Sequence, residues 1–60
     1  MSKEILEGLN NDLNDLNIKI GVSNFMAKDP KSKMAIQTLK NSMSDAQSKF
    51  VKDIEDLFYN

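Results

Sequence analysis

The sequence predicts an all-α fold: an antiparallel two-helix hairpin, completed into a helical bundle by self-association. Three observations predict it. Apolar residues recur at alternate steps of three and four in two separate segments. A single Asp-Pro signal divides those segments. A chain of 60 residues leaves much of its surface exposed when folded, and two helices alone share only one seam.

The first helix is expected over residues 3–27. Leu6, Leu9, Leu13, Leu16 and Ile20 form its stripe, the spacing of a heptad seam. Ser2 is placed as the N-cap, and Glu4 and Glu7 sit where acids favour the helix dipole. Gly8 is a weak point, about 1 kcal/mol worse than Ala in a helix interior. Between residues 17 and 24, Ile18, Ile20 and Val22 also alternate as a strand would. With no second strand to pair with, continued helix is favoured, with Gly21 as a kink point. On that helix Ile18, Val22, Phe25 and Met26 form a second apolar stripe outside the Leu seam.

Residues 28–30 form the turn. Asp29 is a strong N-cap, and Pro30 suits the first helical position because its missing N–H is not needed there. Pro30 also pushes Asp29 out of the helical region. The second helix is expected over residues 30–58, so that 1–60 is a single hairpin domain. Its stripe is Ile36, Leu39, Met43, Ala46, Phe50, Ile54 and Leu57, with a small stutter before Ile54. Neither Gly nor Pro interrupts residues 31–60. Asn10, Asn17 and Asn24 recur every seven residues beside the Leu seam, where polar side chains set pairing register.

Composition narrows the chemistry. The chain has no Cys and no His, so disulfides, imidazole bases, thiolate nucleophiles and the usual zinc ligand sets are absent. No catalytic residue, cofactor site or metal site is assigned, and an enzyme is not expected. Asp53, Glu55 and Asp56 cluster, but without the alternating ligands and central Gly of a calcium loop. No apolar run approaches the roughly 20 residues of a membrane span, and Met1-Ser2-Lys3-Glu4 lacks a signal-peptide core. The expected location is the cytoplasm, the host's if the chain is phage-encoded; export without a cleaved signal leaves the same sequence.

Charge is segregated. Residues 1–16 carry Lys3 against Glu4, Glu7, Asp12 and Asp15, and residues 53–60 carry three acids and no Lys. Residues 28–40 carry Lys28, Lys31, Lys33 and Lys40 against Asp29 alone. A hairpin then has an acidic open end and a basic tip. The tip is a small footprint for nucleic acid: it has no Arg fork and no interleaved aromatic platform, and the net charge is −1.

The candidate partner or oligomer surface is Ile18, Val22, Phe25, Met26, Met34, Phe58 and Tyr59. Flexible Met beside an aromatic suits an adaptable contact. Phe58 and Tyr59 are expected to close the open end against Ile5 and Leu6. The expected function is a small non-enzymatic helical module that binds itself and a protein partner. Its Lys- and Asn-rich composition points to an AT-rich gene, and so to a phage or mobile-element accessory factor that inhibits or adapts a host complex.

Asp29-Pro30, Gln37 and the run Ala46-Gln47-Ser48-Lys49-Phe50-Val51-Lys52-Asp53-Ile54-Glu55-Asp56 resemble the second half of type III secretion needle subunits. The likeness covers about half the chain and needs about one helical turn deleted between Gln37 and Ala46. It implies the alternative of a structural subunit that polymerises into a filament. A nucleic-acid-binding hairpin dimer is the second alternative.

Overall fold

The computed structural model describes residues 2–59. Two helices, α1 (Ser2–Met26) and α2 (Pro30–Phe58), lie side by side as a hairpin, with extents of 44 × 16 × 10 Å. No strand occurs among the described residues, and residues 17–24 are uninterrupted helix. Helix α1 opens at Ser2 itself, so Ser2 is helical rather than the cap. Gly21 has no positive φ and sits inside the helix.

The turn follows local chemistry. Asp29 is extended, with φ −91° and ψ 146°, and its Oδ2 accepts a 2.9 Å hydrogen bond from Ser32 N–H. That bond satisfies one of the orphan donors of the first turn, and Pro30 removes another. Hydrogen bonding from Ser32 also holds the Asp29 carboxyl below the usual carboxylate range. Helix α1 has no basic residue in its last turn. Instead Lys33 Nζ reaches across from α2 and donates to Asn24 O at 2.9 Å, placing a cation at the negative end of α1. One lysine of the basic tip is therefore part of the turn.

The helices do not meet along the whole of the expected stripes. On α1 the covered or half-covered side chains include Leu6, Asn10, Leu13, Asn17, Ile20 and Asn24. On α2 they are Ile36, Met43, Gln47, Phe50, Val51 and Ile54. Only Ile20 and Ile54, at 6% and 7% exposure, are buried among the described residues. Leu9, Leu16, Leu39 and Leu57 remain exposed, and so does Ala46. Leu6, Leu13 and Ile20 belong to both patterns; what changes is the residue between them, Asn10 and Asn17 instead of Leu9 and Leu16. The three asparagines are thus inside the seam, not beside it.

Candidate interaction surfaces

The seam carries a row of side-chain amides. Asn17 Nδ2 donates to Gln47 Oε1, and Gln47 Nε2 donates to Asn10 Oδ1 at 3.4 Å. Nearer the turn, Asn24 Nδ2 donates to Gln37 Oε1 at 3.3 Å, and Gln37 Nε2 donates to Asn41 Oδ1 at 3.0 Å. Gln47 bridges two asparagines one heptad apart, so it sits level with the turn between them. This amide pairing sets the height of α2 against α1, as buried Asn does in coiled coils. The arrangement is incompletely satisfied: Asn17 Oδ1 and Asn24 Oδ1 are buried without a hydrogen-bond partner, each an unfavourable term of about 1–3 kcal/mol.

Rotation toward the amides leaves the leucines on one flank. At about 100° per residue, Leu9 and Leu16 lie roughly 60–80° to one side of Leu6 on α1. The same arithmetic puts Leu39, Phe50 and Leu57 roughly 60–80° to one side of Gln47 on α2. These are the same side of the hairpin. Leu9, Leu13 and Leu16 share with Phe50 the walls of an open groove of about 290 Å³, with Asp12 at its edge. The hairpin therefore has a largely apolar flank running from the leucines of α1 to those of α2.

The residues expected to form one partner surface divide into two groups. Ile18, Val22, Phe25, Met26 and Met34 are all exposed in the half of the hairpin toward the turn. Phe25 is 87% exposed and has the most open position of the large apolar residues. Phe58 and Tyr59 are exposed at the opposite, open end. There Lys3 Nζ stands 4.7 Å above the centre of the Tyr59 ring. Hydrogen bonding to Tyr59, above all, raises the Lys3 pKa. Tyr59 thus meets Lys3, while Ile5, expected beneath it, is exposed. Lys28, Lys31, Lys33 and Lys40 are exposed in the half of the hairpin toward the turn.

Sequence reading assigned the leucines to the hairpin's own seam and so missed their flank as a surface. The seven-residue asparagine period was the available signal, because a heptad of amides beside a heptad of leucines leaves only one set in the contact. No group of His, Cys, Asp or Glu suited to hold a metal ion occurs among the described residues. Among the described residues no helix is long and apolar enough to cross a membrane. No family model matches the chain, and no curated protein or solved structure is detectably similar to it.

Proposed function

We propose that this chain is a non-enzymatic protein-binding module that self-associates. The leucine flank takes a second copy, completing a four-helix bundle, and the apolar patch near the turn takes a protein partner. The observation that carries this reading is the area left uncovered. The accessible surface is 4793 Å², against about 4,000 Å² for a folded monomer of this mass. The excess, roughly 800 Å², is what one protein contributes to an interface of standard size. Leu9, Leu16, Leu39 and Leu57 are among the large apolar side chains left exposed. Such a surface supports the proposed class, and the cellular role proposed for it is an accessory factor that inhibits or adapts another complex.

Sedimentation equilibrium over a wide concentration range tests the reading. A closed dimer or tetramer of defined mass supports it. A monomer at every concentration overturns self-association. Mass that grows without limit would replace it by the filament subunit, the alternative favoured by the hairpin with its Asp-Pro turn.

A further inference from the structure

We infer that two copies pack through their leucine flanks with their turns at opposite poles, making a bivalent particle. The inference rests on the self-association proposed above and adds its orientation. Two hairpins laid flank to flank have two symmetric choices. One two-fold axis runs along the helices and brings both turns together, with α1 of each copy over α2 of the other. The other axis crosses the helices at mid-length, near Leu13 and Leu16 with Asp12 at the edge of their groove, and stacks each helix on its own copy in reverse direction. Neighbouring helices are antiparallel in both, so helix dipoles do not choose between them.

Charge chooses. With turns together, Lys28, Lys31, Lys33 and Lys40 of two copies meet, and the acid-rich open ends meet as well. With turns apart, the basic start of α2, with Lys31 and Lys33, lies at the height of the partner's acid-rich Asp53-to-Asp56 end, so the basic half of each hairpin lies over the acidic half of the other. No single exposed pair contributes much, but like charges brought together over a whole interface select against that arrangement.

The consequence is functional. Each pole would carry one copy of Val22 and Phe25 with the tip lysines, and the two sites would lie at opposite ends of a particle about as long as the 44 Å hairpin. Such a dimer bridges two partner molecules, whereas the other arrangement merges both patches into one site.

A spin-label distance measurement on the Lys31→Cys chain tests this, since the protein has no other cysteine. Position 31 lies 13 residues from the middle of α2 (Pro30–Phe58). At 1.5 Å per residue the two labels stand about 40 Å apart with turns at opposite poles. They stand under about 20 Å apart with turns together, because neighbouring helix axes are about 10 Å apart. A long distance in a sample of dimer mass supports the inference. A short one overturns the orientation and leaves self-association standing, and monomer mass overturns both. Unlabelled protein gives an independent reading. Raising salt from low to moderate concentration loosens the dimer if the turns are apart and tightens it if they are together.

Discussion

Replacing Leu39 with alanine separates the hairpin seam from the leucine flank. Leu39 is 49% exposed in the hairpin, so about half of its side chain is left for a second copy to cover. Leucine exceeds alanine by three carbons, worth about 2.4 kcal/mol when fully buried at about 0.8 kcal/mol per carbon. Half of that is about 1.2 kcal/mol per chain, and the change occurs twice in a dimer. The sum, about 2.4 kcal/mol, corresponds to a roughly 50-fold weaker dimer. The half already covered adds a similar loss to the hairpin itself. Val22→Ala is the control, since Val22 is comparably exposed, at 53%, but lies away from the leucine flank. Sedimentation equilibrium of the three chains at matched concentrations measures the outcome. Leu39→Ala should shift the dissociation midpoint by one to two decades, with Val22→Ala close to the parent. An unchanged midpoint for Leu39→Ala, or an equal shift for Val22→Ala, would refute the assignment of the interface to the leucine flank.

Gly8→Ala and Gly21→Ala should each stabilise the fold by about 1 kcal/mol, because both glycines are helical with nothing within 4 Å of an added Cβ; thermal melts that fall instead would show that one of them is a contact point. Asp29→Ala should lower the melting temperature at neutral pH by removing the α2 cap. The folded-state pKa of Asp29 is depressed, so its stabilisation is present above the ordinary carboxylate pKa and fades as pH falls through the folded value; the gap between parent and variant should close on acidification, and a pH-independent gap would contradict the cap. Replacing Asn17 and Gln47 together with leucine should raise the melting temperature, since it removes a paired amide together with the buried, unpartnered Asn17 Oδ1 and gives up only the long 3.4 Å bond from Gln47 to half-covered Asn10. The same double change should broaden the distribution of oligomer masses, because it removes a register-setting contact; a stabilised chain with one unchanged mass would show that the amides do not specify pairing.

The two helices and the turn were legible without the structure because their causes are local. Asp29 caps, Pro30 fits only the first turn, and neither glycine nor proline interrupts residues 31–60. Charge segregation was equally legible, since a hairpin must bring residues 1–16 beside 53–60. The rotation of each helix was not. Leu6, Leu13 and Ile20 fit a stripe completed by Leu9 and Leu16 equally well as one completed by Asn10 and Asn17. Hydrophobic periodicity selects the first, because it weighs each residue against water and ignores what stands opposite. The tertiary structure selects the second: Gln47 lies at the height where it joins Asn10 and Asn17, and that height depends on the turn and on every contact along both helices. The leucine flank is the result of that non-local choice. Sequence determines that these leucines share a side of each helix, and only the packing of one helix on the other turns that side outward.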